Sequence, residues 1–433
     1  MKHSVLLVLT LLLFLPLLAQ ERVLISKKEV LTTVKERNNT LKMAQQDVLM
    51  AKGDYKQTNA VLLPTIGISH TGIATTNPLM AFGSKLNQKI LSQADFSPDL
   101  LNDPSQIQDF ATRVEVYQPL MNLDGLYQRK AAKASLNATE LRSLRTQDHI
   151  ALEVDKAYLQ LQLAYKTIEV LQIAKESALE NLRVANNNLK QGYLQKSDVL
   201  AVEVRLSEID NQLQYAKSNI LNSSNYLSVL MDKTPSQILQ PSDSLALITE
   251  TISSQEFPEN RKDVLALESV SEAYKQQYRA DKMTFLPNLN AFGTYELHDN
   301  KLLQGSANGY LLGASLQWNI LEGTKRFGRT KKSKAEYERS IFELKQYKAE
   351  SELELNKAIR MLTDAKNNVK LTELAMTQSR EALRIRTNRF EQGLEKTTEL
   401  LMAENQLSQK KLEYYTMIYQ HNYTWAYVQF LTK

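Results

Sequence analysis

The chain has 433 residues, 43% of them hydrophobic and 23% charged, and its formal net charge at pH 7 is +5. A net charge this small for the length does not indicate a nucleic-acid-binding protein. The sequence contains no cysteine, which excludes disulfides, thiolate metal sites, cysteine nucleophiles and lipid attachment at an N-terminal cysteine.

The N-terminal segment has the pattern of a secretory signal peptide. Lys2 and His3 precede a nearly continuous apolar run over residues 5–18, and Ala19 supplies a small residue at the boundary. We therefore assign residues 1–19 to a signal peptide and expect the mature protein to be exported. No other apolar run reaches about 18 residues, so the mature chain could enter a membrane only as strands.

The mature chain begins with a helix followed by a strand. Residues 26–59 have helical periodicity, which Pro64 ends, and residues 65–76 indicate a strand because they are rich in Ile, Thr and Gly. The next stretch, residues 77–108, contains three prolines and is predicted to be a long exposed loop.

A second strand is predicted at residues 110–118, where apolar and charged side chains alternate. Arg113 and Glu115 lie on its charged face. The pattern leaves two roles open for them, lining the lumen of a barrel or simply facing solvent.

Four long spans contain neither glycine nor proline, the residues that most often interrupt helices. They lie between Gly125 and Gly192, Gly192 and Pro235, Gly328 and Gly393, and Gly393 and the C-terminus. The longest, roughly 66 residues, would extend about 100 Å at about 1.5 Å per residue. The sequence therefore predicts a rod-like protein with four long helices.

Apolar seams follow two of these spans. Alternating spacings of four and three residues are typical of a left-handed coiled coil. A second stripe on the first span indicates neighbours on both sides, as in a ring or barrel of helices. The first seam comprises Ile150, Val154, Ala157, Leu161, Ala164, Ile168, Leu171, Ala178, Leu182, Ala185 and Leu189. The seam of the third span comprises Ile341, Leu344, Leu355, Ala358, Leu362, Ala365, Val369, Met376, Leu383 and Phe390.

Two similar segments, residues 191–197 and 392–398, separate the long spans and predict the tips of two helical hairpins. Each contains Gln-Gly, which suits a helix end because glycine adopts the left-handed conformation easily. Ser197 and Thr398 are predicted to cap the following helices, each with an acidic residue in its first turn.

The second part of the chain repeats the plan of the first. "YRADKMTFLPNLNAFGTY" at residues 278–295 aligns without gaps with "YKQTNAVLLPTIGISHTG" at residues 55–72, and residues 310–320 alternate as a further strand. We predict two structural repeats, residues 20–232 and 259–433, joined by an equatorial connector at 233–258. Each repeat contains a helix, two strands and a helical hairpin.

Four strands per chain are too few for a transmembrane barrel, which needs about eight. Because open strand edges are not tolerated in lipid, the chain must oligomerise if these strands are embedded in a membrane. A dimer would supply eight strands and a trimer twelve, and this arithmetic does not choose between them.

The duplicated plan, the Leu-Pro joints between helix and strand, and the paired Gln-Gly tips resemble the TolC-like outer membrane factor family over essentially the whole mature chain. The long segment after the first strand resembles the version in Bacteroidetes-type members. The resemblance implies a mixed, mainly α fold in which a homotrimer forms a twelve-strand outer-membrane β-barrel and a periplasmic α-barrel tunnel. It further implies partners, namely a periplasmic adaptor protein and an inner-membrane pump of the RND or ABC type.

The resemblance also assigns candidate site residues. It implies that the tip residues Gly192, Tyr193, Leu194, Gly393 and Leu394 face the adaptor. It places Asp198 and Phe390 at the gate that closes the tunnel.

This chain departs from the family pattern at the second tip, where Glu395 occupies a position that is basic in the family. Glu395 and Glu399, repeated around a pore, could form an acidic ring that favours cations. The simpler interpretation of Asp198 and Glu399 is that they are helix-capping charges.

Nothing in the sequence indicates an enzyme, a cofactor or a metal. The five histidines are scattered without metal-ligand spacing, and there is no phosphate-binding glycine loop. The function that the resemblance implies is conduction of substrates by an outer-membrane channel-tunnel in a tripartite efflux or type I secretion system, and the absence of catalytic motifs makes this conduction passive. The alternative is a periplasmic coiled-coil adaptor or scaffold that spans no membrane.

Overall fold

A computed structural model describes residues 22–235, 237–250 and 256–433. The predicted signal peptide lies outside these ranges. The described elements, in chain order, are β1 (Arg22–Ile25), α1 (Lys27–Arg37), α2 (Asn39–Gln57), β2 (Thr65–Thr75), α3 (Pro78–Asn87), α4 (Pro98–Asn102), β3 (Ile107–Met121), α5 (Leu123–Lys190), α6 (Lys196–Leu230), β4 (Ile238–Pro241), α7 (Lys262–Met283), β5 (Asn288–Asp299), β6 (Ala307–Gln317), α8 (Lys325–Glu391) and α9 (Thr397–Leu431).

The chain forms two compact units that cut across the predicted repeats. Of the described residues, the helical unit contains those within 22–46, 142–263 and 347–433, and the sheet unit contains residues 47–141 and 264–346. Each unit therefore takes a part of both repeats, and the repeat boundaries remain a prediction. Helices α5 and α8, with 68 and 67 residues, confirm the predicted long spans.

In the sheet unit, β2, β3, β5 and β6 form an antiparallel sheet in that order. Strand β3 is the longest and pairs on both sides, with β2 and with β5. It extends beyond the predicted 110–118, whereas β6 ends at Gln317, short of the predicted residue 320. Within the described residues, one edge of β2 and one edge of β6 have no strand partner.

The predicted loop at 77–108 is wrong, because α3, α4 and a 3-10 helix at Gln93–Phe96 together make most of it helical. Pro78 and Pro98 are the first residues of α3 and α4, where proline's missing N–H costs nothing. The Asn77 side chain caps α3 by accepting the backbone N–H of Met80 at 3.2 Å. The prolines therefore start short helices in this segment, whereas the sequence analysis took them as evidence of irregular structure.

The helical unit packs along the predicted seams. Val154, Ala157 and Leu161 on α5 are fully buried together with Val30 of α1 and Leu227 of α6. Along α8, Leu355 and Ala358 pack against α9. The predicted seam of α8 is wrong at its first position, because Ile341 is 42% exposed.

Within its described residues, 233–235, 237–250 and 256–258, the predicted connector contains one short strand. Strand β4 pairs in parallel with β1, and Ser224 of α6 exchanges hydrogen bonds with the backbone of Leu239. The Tyr158 hydroxyl donates to the carbonyl of Ile25 and to the Asp243 carboxylate. These bonds fix the connector on the helical unit.

Candidate functional site: the tips of the helical hairpins

Both hairpin tips end their first helix with the same backbone motif. Gly192 has φ +80° and Gly393 has φ +71°, as predicted for glycine in the left-handed region. At the first tip, the Gly192 N–H donates to the carbonyl of Leu189 at 3.0 Å and the Tyr193 N–H to Asn188 at 2.8 Å. This pair of bonds is the Schellman arrangement, which satisfies carbonyls left free at a helix end.

The second tip repeats those two bonds with its own residues. The Gly393 N–H donates to the carbonyl of Phe390 at 3.0 Å, and the Leu394 N–H donates to Arg389 at 2.9 Å. The two tips thus share one backbone geometry, displaced along the sequence by a constant number of residues.

The predicted caps of the following helices are each wrong by two residues. Helix α6 begins at Lys196 and its N-cap is Gln195, while α9 begins at Thr397 with Lys396 as its N-cap. Asp198 accepts the Gln195 backbone N–H at 3.0 Å, so its carboxylate caps the helix from the third position. Ser197 and Thr398 lie inside the first turn.

The first tip is held together by apolar contacts. Ala185, Val199 and Val202 are fully buried. Leu194 packs against this cluster and is half-buried, whereas the neighbouring Tyr193 is 78% exposed. Of the predicted adaptor-facing residues at this tip, Tyr193 therefore presents the most side-chain surface.

The second tip is held together by ion pairs. The Arg386 guanidinium lies 2.5 Å from a carboxylate oxygen of Glu399 and 3.8 Å from one of Glu395. Glu395 also accepts from Arg389 at 3.1 Å. Leu394, beside this cluster, is 64% exposed.

The acidic ring of Glu395 and Glu399 remains a prediction, and within one chain both carboxylates are paired. Glu395 and Glu399 are each paired with a guanidinium of the same chain, so the second tip as a group carries no net charge from these four side chains. Phe390 is 3% exposed, which places its ring in the interior of the protomer. A contribution of Phe390 to the gate would therefore act through helix packing.

Sequence analysis missed Arg386 and Arg389. A gapless alignment of the two tips would have found them, because they occupy the positions of Ala185 and Asn188 in the first tip. Two arginines facing one glutamate in the turn and one in the next helix are a recognisable pattern of charge pairing.

A third missed residue, Glu404, lies where the two hairpins meet. It is 7% exposed, and one of its oxygens accepts from the Ser177 hydroxyl at 2.6 Å and from the Asn181 side-chain amide. Burial raises the pKa of the Glu404 carboxyl, although these hydrogen bonds and the charge of Arg205 oppose the rise. The sequence contains a hint of this position, since Glu404 interrupts the apolar stripe formed by Leu400, Ala403 and Leu407.

Arg113 and Glu115 lie together on one face of the sheet. The Arg113 guanidinium is 2.6 Å from Glu296 on β5 and 3.4 Å from Glu115. The side chains of Arg113 and Glu115 are about half exposed, at 47% and 57%. Arg113 therefore pairs across the strands with Glu296, and the position of Arg113 and Glu115 in a lumen remains a prediction.

Within residues 22–235, 237–250 and 256–433, no group of His, Asp or Glu side chains has the arrangement of a metal site. Over the same residues, no helix has the length and hydropathy needed to cross a membrane.

Comparison with known proteins bears on the whole described chain. Three similar solved structures are VceC of Vibrio cholerae (TM-score 0.81, 17% identity, 94% of this chain and 96% of that chain), the outer membrane channel CmeC of Campylobacter jejuni (0.77, 15%, 94% and 85%) and the open state of the MtrE outer membrane channel of Neisseria gonorrhoeae (0.79, 14%, 94% and 88%). No curated protein matches the chain. At these identities the likeness concerns the fold, which is the mainly helical fold of TolC-like channels with a few antiparallel strands, as expected.

A protein-family model assigns the chain to a family, which structural similarity at these identities does not. The model named outer membrane efflux protein matches residues 30–232 and 254–431. These two segments contain both hairpin tips and all four strands of the sheet. The chain therefore belongs to the outer membrane efflux protein family.

Proposed function

We propose that the protein is the outer-membrane channel-tunnel of a tripartite efflux or type I secretion system. In this role it conducts substrates passively from an inner-membrane pump, through the periplasm, to the outside. The strands span the outer membrane and the helices form the periplasmic tunnel. A periplasmic adaptor opens the tunnel at the hairpin tips.

The observation that carries this proposal is the sheet. One face of the sheet exposes large apolar side chains, with Ile68 76%, Tyr310 79% and Leu312 73% exposed, whereas the other face carries the Arg113–Glu296 pair. An exposed apolar face of this size marks a surface that is covered in the working protein. Lipid covers such a face when the backbone groups at the edges of the sheet are paired.

Pairing those edges requires further copies of the chain. Strands span a bilayer only in a closed barrel, and four strands are too few to close one. Three copies that join the free edge of β6 to that of β2 give twelve strands. The family assignment favours this number over two copies, and we therefore propose a homotrimer.

The helical unit has exposed apolar stripes that suit the same assembly. Val204, Tyr215 and Tyr226 on α6 are 60%, 67% and 44% exposed and recur every eleven residues. On α8, Leu374 and Ile385 have the same spacing. An eleven-residue repeat keeps a stripe on one face of an almost straight helix, which permits packing against a neighbouring copy over a long distance.

The tips are the part of the chain that we propose contacts the adaptor, through Gly192, Tyr193, Leu194, Gly393 and Leu394. The adaptor couples the channel to an inner-membrane pump of the RND or ABC type, which supplies the energy for transport. The channel itself then needs no catalytic residue, no cofactor and no nucleic acid.

Single-channel recording in planar bilayers tests the channel. We expect discrete, long-lived openings from a protein that purifies from the outer-membrane fraction as a detergent-solubilised trimer. If the resting tunnel is shut, the Asp198→Ala variant, which loses the cap on the Gln195 N–H, should conduct more than the parent. Recovery as a soluble monomer without detergent would overturn the channel and favour the periplasmic scaffold.

Site-specific crosslinking tests the adaptor contact. Because the chain has no cysteine, Tyr193→Cys provides a single site for a thiol-reactive photocrosslinker. We expect capture of a periplasmic adaptor from Tyr193→Cys cells. The control Lys366→Cys, at an exposed site far along α8 from the tips, should capture none.

A further inference from the structure

The topology of the sheet unit brings four junctions between helix and strand to one end of the sheet. Strands β2 and β5 begin there, after α2 and α7, and β3 and β6 end there, before α5 and α8. The register fixes this arrangement, since Thr65 pairs with Tyr117 and Asn288 pairs with Gln317. Residues near any of the four junctions therefore belong to one surface.

Basic residues are concentrated at these junctions. Residues 325–334, the first turns of α8, contain six basic and no acidic residues. Arg326 is buried and donates to the carbonyls of Thr284 and Asn319, so its role is structural. The other five, Lys325, Arg329, Lys331, Lys332 and Lys334, are exposed.

The remaining junctions add further basic residues, and tyrosines position several of them. The Arg129 guanidinium lies 4.6 Å from the centre of the Tyr55 ring, Lys130 lies 4.9 Å from Tyr127, and Lys282 lies 5.6 Å from Tyr278. These cation–π contacts hold the charges beside aromatic rings. Lys133 also lies near Tyr55, 5.5 Å from the centre of its ring. We call Lys130, Lys133, Lys282, Lys325, Arg329, Lys331, Lys332 and Lys334 the basic junction.

Acidic side chains offset only part of this charge. Arg329 lies 3.8 Å from the buried Asp281, and Lys332 and Lys334 approach Glu336 and Glu338 at 3.6 Å and 3.5 Å. These last two pairs are exposed and weak. Because the whole chain has a net charge of only +5, the positive charge of the junction is a local feature.

Exposed apolar side chains lie between β6 and the basic segment of α8, and Phe327 lies within that segment. Trp318 and Phe327 are 55% and 60% exposed, and Ile320 and Leu321 are each 75% exposed. Along the chain from β6 to α8, an apolar strand is followed by an aromatic and aliphatic segment and then by the basic segment. This order matches a membrane interface, where aromatic residues lie at the headgroup level and basic residues lie beside anionic lipid.

We propose that the basic junction binds the phosphate-containing headgroups of acidic glycerophospholipids in the leaflet that faces the helices. The proposal rests on the proposed function, because it requires the sheet to be embedded in a membrane. Lysine supplies a compact point charge for a phosphate oxygen, and arginine can bond two oxygens at once. The bound lipids fix the depth of the sheet in the membrane.

The test compares two triple variants of α8 as detergent-solubilised trimers. Lys331→Gln/Lys332→Gln/Lys334→Gln removes three charges from the basic junction. Lys357→Gln/Lys366→Gln/Lys370→Gln removes three exposed charges from the same helix away from the sheet. Native mass spectrometry measures binding of dioleoylphosphatidylglycerol and, as the zwitterionic comparison, dioleoylphosphatidylcholine.

We expect the junction variant to bind phosphatidylglycerol at least about tenfold more weakly than the parent, and the control to bind like the parent. Added salt should reduce the difference because it screens exposed charges. Equal loss in both variants, or equal binding of the two lipids by the parent, would overturn the proposal. A trimer that conducts ions but shows no preference for phosphatidylglycerol refutes this inference alone, whereas a soluble monomer refutes the proposed function.

Discussion

The two hairpin tips share a backbone but differ in side-chain chemistry. Gly192 and Gly393 end their helices with the same pair of hydrogen bonds, and the Arg183–Glu180 pair before the first tip recurs as Arg384–Glu381 before the second. Between these shared features, the first tip has Ala185 and Leu194 in an apolar cluster where the second tip has the paired Arg386 and Glu395. The two copies of the hairpin thus share the backbone turn but differ in the side-chain contacts beside it.

This difference gives the tips different sensitivities. Apolar contacts at the first tip depend little on ionic strength. The ion pairs at the second tip are partly exposed and are weakened by salt. If one tip loosens first when the tunnel opens, we expect it to be the second.

Substituting the two tip glycines with valine should have the largest effect and should leave the tips equivalent. No atom lies within 4 Å of a β-carbon built at Gly192 or Gly393, so the cost arises from the positive φ alone. We expect Gly192→Val and Gly393→Val each to cost about 2 kcal/mol of local stability. Hydrogen exchange of the tip amides measures this effect.

Gly53→Ala is the control for a glycine without that requirement. Gly53 lies inside α2, and a β-carbon there also meets nothing within 4 Å. We expect this substitution to stabilise the helix by about 1 kcal/mol. Equal tip protection in the parent and both valine variants would show that the left-handed turns do not require glycine.

Introducing a charged residue of the second tip into the first tip should destabilise the first tip. Leu194 corresponds to Glu395, and Leu194→Glu places a carboxylate against the apolar cluster of Ala185 and Val199. We expect a loss of about 1–2 kcal/mol, since the leucine contacts disappear and no guanidinium is present. Faster hydrogen exchange at residues 190–200 would report this loss.

The double variant Leu194→Glu/Asn188→Arg adds the missing partner. Asn188 corresponds to Arg389, which pairs with Glu395 at 3.1 Å. Partial recovery of protection in the double variant is expected, together with a new sensitivity to salt. If the double variant is as unstable as the single one, the two tips are not interchangeable in the way their backbones indicate.

The helix lengths and the turns were predictable from the sequence because they depend on glycine and proline. Absence of both residues over long spans predicted α5, α6, α8 and α9, and Gln-Gly located each turn. The helix starts were less accurate, since Asp198 caps α6 from inside the helix and Ser197 does not. Several neighbouring side chains can accept the free backbone N–H groups at a helix start. A sequence pattern does not show which of them does so.

The segment at 77–108 and the second tip could not be predicted for a different reason. Proline both breaks helices and starts them, so Pro78 and Pro98 fit either a loop or a helix. The pairing of Arg386 with Glu399 depends on how two helices face each other across the turn. Periodicity within one helix does not contain that information.

Away from the tips, Glu404 of α9 forms hydrogen bonds with the first hairpin. Replacing its carboxylate tests a buried polar contact between the hairpins, in contrast to the contacts within each tip. Burial raises the pKa of its carboxyl, so the folded protein holds the proton more tightly than the unfolded chain does. Wild-type stability from this group is therefore greatest below the ordinary value of 4.5 and falls as the pH rises through the folded-state pKa. We expect Glu404→Gln to stabilise the protein by about 1 kcal/mol at neutral pH.

The difference in Tm between Glu404→Gln and the parent, recorded from pH 4 to pH 8, measures this effect. It should be positive at neutral pH and shrink toward acid pH. Glu203→Gln, at an exposed site on α6, should give a flat profile. A Glu404→Gln difference that does not change with pH would mean that its charge is not the source of the effect.

Arg386→Gln should have the smallest effect on stability and a clear effect on conduction. The side chains of Arg386 and Glu399 are 37% and 41% exposed, so water already weakens their attraction. The loss should be less than about 1 kcal/mol. The substitution nevertheless leaves Glu399 without this cation and gives the second tip a net negative charge. The equivalent residue of the first tip is the uncharged Ala185.

In planar bilayers, a trimer with three such tips should favour cations over anions more than the parent does, because acidic rings select cations. Arg384→Gln is the matched control, since it makes the same change in charge two residues away. At 3.6 residues per turn, that spacing places Arg384 on nearly the opposite side of α8, where it pairs with Glu381 at 2.7 Å. If both variants shift the reversal potential equally, only the net charge of the tunnel matters. A shift confined to Arg386→Gln would mean that the ion pairs of the second tip border the conduction path, whereas the apolar contacts of the first tip only hold the hairpin together.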